Sequence, residues 1–387
     1  MKQKQDSLVV TLGRDPHANF GIVNPPVYHA STILYPTVEA LKSRKQPYTY
    51  GRRGTPTTAA LQEAVAGLEG GHNTVLVPSG LAAVSTALLA LVKSGDHLLI
   101  TDSVYGPSRH FADTVLARNG VEVEYYDPLI GAGIEKLMRP NTAAVFTESP
   151  GSITFEVQDI PAIAEVAHAH GAKVLIDNTW ASPLYFKPFE HGADVSIQAI
   201  TKYLCGHSDV MMGAITTNEE TWKAVLAGHG ALGQSVAPDD AYLVLRGIRT
   251  LSVRLERHMQ TGLKLARWFA TRPEVARVLH PALETDPGHA IWKRDFTGAS
   301  GLFSIILKPC SDASIAAMLD GLEFFGMGYS WGGFESLVVP QDISHYRTAT
   351  SKDLGGQILR FHAGLEDAGD LIADLEAGFA RFNAAGN

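Results

Sequence analysis

From residue 57 to about 245 the pattern of apolar and polar positions switches repeatedly between two periods. "TTAALQEAVAGLEGG" spaces its apolar residues as a helix does and stops at glycines, whereas "NTVLVPSG" is a short apolar run ended by a turn. "LAAVSTALLALVKSG" returns to the helical spacing, and "DHLLITDSVYG" to a strand running into a loop. "VEVEYYD", "TAAVFTESP", "AKVLIDNTW" and "SIQAI" read as further strands, with "IPAIAEVAHAHG" as one of the helices between them. This α/β alternation predicts a mostly parallel sheet with helices on both faces, and a ligand site beyond the carboxyl ends of the strands.

The pattern changes on either side of that region. Residues 1 to about 45 are rich in Pro, Asn and Tyr and lack sustained periodicity, which predicts an extended arm lying over another surface, a second subunit included. After a long helical stretch over 241–272, "GLFSIILKP" and "SLVVP" read as strands and "DLIADLEAGFARFNAA" as a terminal amphipathic helix. The expected division is an arm over 1–56, a larger α/β domain over 57–246 and a smaller α+β domain over 247–387. A chain of 387 residues agrees with more than one core, since a single core stops growing at roughly 250–300 residues.

Composition narrows the function. A net charge of −8 gives no basic field to attract a phosphate backbone, so nucleic acid is not an expected partner. Two cysteines are too few for a disulfide framework or a thiolate cluster, which fits a reducing cytoplasm. "LAAVSTALLALV" is too short and too interrupted by Ser85 and Thr86 to span a bilayer, so neither a membrane anchor nor a signal peptide is expected. His168 and His170 fall on different helical faces, and no constellation of ligands suits a metal.

Three strand ends supply polar groups that make joint sense. Asp177 closes the apolar run "KVLID"; alone it could be an exposed loop acid or a partly buried one with a specific partner. Lys202 follows "DVSIQAIT"; beside apolar groups its charged form is disfavoured, which makes a nucleophilic amine available, although a surface lysine with a packed stem reads the same way. In "VLVPSGLAAV", Ser79, Gly80 and Leu81 place backbone N–H groups at a helix N-terminus, a seat for phosphate or an ordinary cap. A phosphate seat, a carboxylate for a pyridine nitrogen and an activated amine together meet the requirements of pyridoxal phosphate.

With these residues in place, the chain resembles the Cys/Met-metabolism family of pyridoxal-phosphate enzymes, which has the aspartate-aminotransferase type of fold. The likeness runs from "GIVNPPVYHAST" to "LEDAGDLIADLEAGFARF". It implies that Lys202 in "QAITKYLCGHSD" is the lysine that carries the cofactor, Asp177 in "LIDNTW" the partner of the ring nitrogen, and Tyr105 in "DSVYGPS" the aromatic stacked on the ring. Ser79, Gly80 and Leu81 would hold the phosphate with help from Thr201. Tyr50 and Arg52 in "YTYGRRGTPT" would cross to a neighbour's phosphate, so that the arm completes a homodimer's site, with dimers pairing into tetramers in this family. Tyr50 would also help deprotonate the substrate amine.

Arg360 in "ILRFHAGLED" would fork the substrate carboxylate, with Ser330 and Trp331 of "YSWGGFES" beside it. The Ser-Trp-Gly-Gly form, together with Ser152 and Ala199 where γ-acting relatives usually carry Asn and Ser, implies β-elimination from a sulfur amino acid, cystathionine first. Cysteine desulfhydration, cleavage of other cysteine S-conjugates, γ-elimination, γ-replacement and a non-catalytic regulatory role are the alternatives.

Overall fold

A computed structural model describes residues 3–386. The first sheet has seven strands: β1 (Asn73–Val77), β2 (His97–Thr101), β3 (Glu122–Tyr126), β4 (Thr142–Glu148), β5 (Lys173–Asp177), β6 (Val195–Gln198) and β7 (Gly213–Thr217). Their order is β1-β7-β6-β5-β4-β2-β3. Strands β2 to β6 pair in parallel, while β7 runs antiparallel to both its neighbours, β1 and β6. The expected mostly parallel sheet is therefore present, and "GAITT", whose small residues gave no strand signal, is the inserted antiparallel member.

Alternate side chains of the strands enter different cores, as the pleat requires. Leu98 and Ile100 of β2 pack in the core that holds Ala83, Val84, Ala87 and Leu88 of helix Gly80–Leu91. Leu99, between them, joins Ile163, Ala164 and Ala167 of helix Ile160–Ala169 on the other face. Covered on both faces, the strands can be apolar throughout, which is why they read as continuous runs rather than as an alternation.

The second sheet is antiparallel, in the order β10-β11-β9-β8, from β8 (Val275–Leu279), β9 (Leu302–Leu307), β10 (Leu337–Gln341) and β11 (Ile358–His362). Its core, with Phe303, Ile305 and Phe361, is covered by helices Leu251–Phe269, Asp312–Leu319 and Ala368–Ala385. The long helical stretch is two helices, Pro238–Ile248 and Leu251–Phe269, so the residue at which the sequence suggests a division lies inside the first of them. Arg249 at the break donates to the carbonyls of Val9 and Leu12, at 2.9 and 2.7 Å.

That contact corrects the reading of the N-terminus. Residues Gln5–Thr11 form a helix whose Val9 is buried with Leu61, Ala64 and Leu255 of the same chain. A helix of seven residues is too short to register as a periodicity. The segment beyond it keeps the expected extended character, with Phe20, Ile22, Val23 and Leu34 exposed and only the short helix Val38–Ser43. Among the described residues no helix is long and apolar enough to cross a membrane.

Candidate active site

The carboxyl ends of β4, β5 and β6 open into a cavity of about 530 Å³, closed from the other side by the second sheet, a volume within the ordinary range of small-molecule sites. Asp177, Lys202, Tyr105, Ser79, Gly80, Leu81 and Thr201 line it, and so do Ser330, Trp331 and Arg360. Residues from Ser79 to Arg360 thus share one space, because parallel strands end at one edge of their sheet.

Lys202 stands four residues beyond the end of β6. Its Nζ donates to Ser330 Oγ at 2.7 Å and lies 5.1 Å from the centre of the Trp331 ring. Burial, followed by the positive charge of Arg360, pulls its pKa down to about 8, against a smaller opposing pull from Asp177. The amine therefore gives up its proton far more readily than an exposed lysine, which stays charged well above neutrality.

Asp177 closes β5, and Thr179 donates to it twice, from its backbone N–H at 3.0 Å and from its hydroxyl. Both bonds fall on Oδ1; among the described residues no hydrogen bond reaches Oδ2. Desolvation raises the acid's pKa, opposed by Thr179 and Lys202. An acid in this position favours a cationic N–H donor.

The turn after β1 is built by packing. Ser79 caps helix Gly80–Leu91 through a bond from Ala82 N to its hydroxyl at 3.1 Å. A Cβ on Gly80 would stand 2.6 Å from the Ala199 methyl, so the turn and the segment before Lys202 lie in direct contact. The first N–H groups of the helix have no acceptor within it and carry the positive end of its dipole, as an anion seat requires.

Arg360 projects from β11, and among the described residues its guanidinium forms no hydrogen bond although it faces the cavity. Burial lowers its pKa, with Tyr105 and Tyr329 opposing. A cationic fork without a protein partner is suited to a carboxylate brought by a ligand.

Two expectations fare differently. Thr201 lines the cavity, but its hydroxyl donates to Met212 O at 3.2 Å and accepts from Met212 N at 3.0 Å. Tyr50 and Arg52 do not line the cavity of their own chain: Tyr50 is exposed, and Arg52 donates to Gly230 O at 3.2 Å. Sequence reasoning passed over Glu148, which ends β4 beside Asp177 and accepts from Tyr105 N at 2.7 Å. Desolvation and then Asp177 raise its pKa well above the usual carboxylate range. "FTESP" gave no sign of it, because the neighbour that gives the acid meaning is on another strand.

The profile of the Cys/Met metabolism PLP-dependent enzymes matches residues 6–380. The chain belongs to that family. Its members are pyridoxal-phosphate enzymes, and the residues gathered here fit the cofactor: a depressed amine, an acid with one unpartnered oxygen and a helix N-terminus share the cavity. Over its whole length the chain is similar to cystathionine beta-lyases. That of Salmonella typhimurium is 48% identical, with 98% of this chain and 100% of the relative covered. That of Escherichia coli K12 is 47% identical, covering 98% and 99%. The crystal structure of cystathionine gamma synthase from Xanthomonas oryzae superposes with a TM-score of 0.92 at 31% identity, over 100% of both chains.

Proposed function

We propose that this enzyme cleaves the Cβ–sulfur bond of L-cystathionine, giving homocysteine, pyruvate and ammonia. The observation that carries the reading is the single cavity in which the Lys202 amine, held by Ser330, faces an unpaired Arg360 and the acid Asp177. Pyridoxal phosphate supplies there a sink for the electron pair left when Cα loses its proton.

Each side chain has one task in this reading. Arg360 pairs with the substrate carboxylate and so fixes Cα relative to Lys202. The Lys202 amine, whose pKa of about 8 suits both directions of transfer, takes the Cα proton and delivers it to the departing sulfur. Asp177 would keep the ring nitrogen of the cofactor protonated, Tyr105 would stack on its ring, and Ser79, Gly80 and Leu81, with Thr201 beside them, would hold its phosphate. Ser330 holds the amine between transfers, and Trp331 covers it. A γ-elimination needs a second proton removed, from Cβ; a β-elimination does not. The relatives named cystathionine beta-lyase at 47–48% identity support the substrate.

In the same reading the molecule is at least a dimer, in which Tyr50 and Arg52 of one protomer complete the other's site, and two dimers pair. The exposed apolar residues of segment 20–41 support an intersubunit role. The unpaired Cys205 and Cys310 support a cytoplasmic home.

The test is a product assay. Purified protein given L-cystathionine is expected to release pyruvate and free thiol in equal amounts, and Lys202→Ala to lose roughly 1,000-fold or more in rate. 2-Oxobutanoate in place of pyruvate would overturn the β-cleavage.

A further inference from the structure

The loop that meets Lys202 is strained and needs an external hold. Ser330 and Gly332 both adopt left-handed backbone, at φ of 84° and 87°. Ser330 lacks the freedom of glycine there. A Cβ on Gly332 would come within 2.9–3.0 Å of the Lys202 and Tyr203 backbones, so the loop lies against the very segment that presents the amine.

What holds the loop is His362, on the same face of β11 as Arg360 and buried. The Gly332 N–H donates to His362 Nε2 at 3.0 Å, which requires that nitrogen to be without a proton. The other ring nitrogen lies 3.1 Å from Glu335 O and must therefore carry the hydrogen. One neutral tautomer satisfies both ends of the loop, and the ring is wedged against His258 and Tyr203, with centroids 5.2 and 6.0 Å away. Tyr203 in turn packs on Trp331 at 5.4 Å.

We propose that His362 is a positioning residue for the reaction: as a neutral acceptor for Gly332 N–H it fixes Ser330 and Trp331 against the Lys202 amine. It touches neither substrate nor cofactor, so its effect belongs to the proton transfers and not to binding at Arg360. The inference rests on the reading of Lys202 as the reactive amine.

Two substitutions separate the acceptor from the rest of the ring. His362→Asn keeps a donor near Glu335 O but does not reach Gly332, whereas His362→Gln reaches Gly332 with its carbonyl. For the cofactor-loaded enzyme H362N is expected to lose roughly 10-fold in kcat, the scale of one buried hydrogen bond, with KM within about threefold. Deuterium exchange at Gly332 should accelerate in the same variant, and H362Q should restore both. A folded H362N with parent kcat, or equal losses in both variants with Gly332 exchange unmoved, overturns the proposal. If H362N does not fold, exchange in the unmutated protein decides: slow exchange at Gly332 supports the hold and fast exchange removes it. Failure of the parent to form pyruvate would fall on the reaction assigned above alone, since the exchange measurement needs no substrate.

Discussion

Asp177 and Asp102 both sit at or just beyond the ends of strands of the first sheet, and they are held in opposite ways. Asp177 takes its two bonds from one neighbour, Thr179, and keeps an oxygen toward the cavity. Asp102, one residue past β2, is saturated. It pairs with Arg109 and accepts from the backbone N–H groups of Thr348, Ala349 and Thr350 at 2.9, 3.1 and 2.8 Å, and from the Thr350 hydroxyl at 2.6 Å. Those threonines belong to the loop between β10 and β11, so Asp102 fastens the second sheet's loop to the first sheet beside Tyr105.

Burial would raise the pKa of either acid. At Asp177 burial wins; at Asp102 the Thr350 hydroxyl, the Thr348 amide and Arg109 outweigh it and the pKa falls below the ordinary value. One carboxylate is left in want of a cationic partner, and the other is spent on holding two sheets in register. The difference between a site and a fastening lies in how many donors the fold supplies, not in the residue type.

The contrast is tested most severely at the site. Asp177→Asn should lower kcat by roughly 100-fold or more, the scale of one lost electrostatic stabiliser, with the melting temperature close to that of the parent. A parent-like kcat would make Asp177 a second fastening. Asp102→Asn should reverse the balance, costing about 2 kcal/mol of stability through the lost charged bonds with kcat changed only a few-fold. Its pH signature has a definite sign. A depressed carboxylate stabilises the fold above its ordinary pKa of 3.8 and loses that contribution as the pH falls through the depressed value, so the variant's stability should decline less than the parent's in acid. Denaturant unfolding across that range measures it.

The smallest expected effect concerns Lys202. The folded protein disfavours its charged form, a penalty fully present below about pH 8 and gone above 10.5. With the cofactor removed, Lys202→Met should therefore melt a few degrees higher than the parent at pH 7, the gap closing as the pH rises toward 10.5. An equal melting temperature at pH 7 would show that the amine is as well solvated as any surface lysine.

Strands β1 to β6, their flanking helices and the three strand-end groups were legible in the sequence: a strand covered on both faces can be apolar along most of its length, as in "NTVLV" and "KVLID", so that the polar residue ending the run stands out, while the edge strand "EVEYY" shows as an alternation. Other elements left no such trace. "GAITT" is too small in its side chains, and "ILRFH" interrupts its apolar pattern with two polar residues, Arg360, which lines the cavity, and the buried His362. The likeness of Tyr50 and Arg52 to family residues is visible in "YTYGRRGT", yet within one chain they lie outside the cavity.

The sequence by itself determined the order of elements, the composition of the cores and the presence of an amine, an acid and a helix N-terminus at three strand ends. Tertiary structure alone decided which of the buried acids is saturated and which waits for a partner. It also set the amine's proton affinity and placed Ser330, Trp331 and Arg360 of the second sheet against Lys202 of the first. The reason is that periodicity records which face of an element is covered, while hydrogen-bond saturation and desolvation depend on groups far away in the chain that only folding brings within a few ångströms.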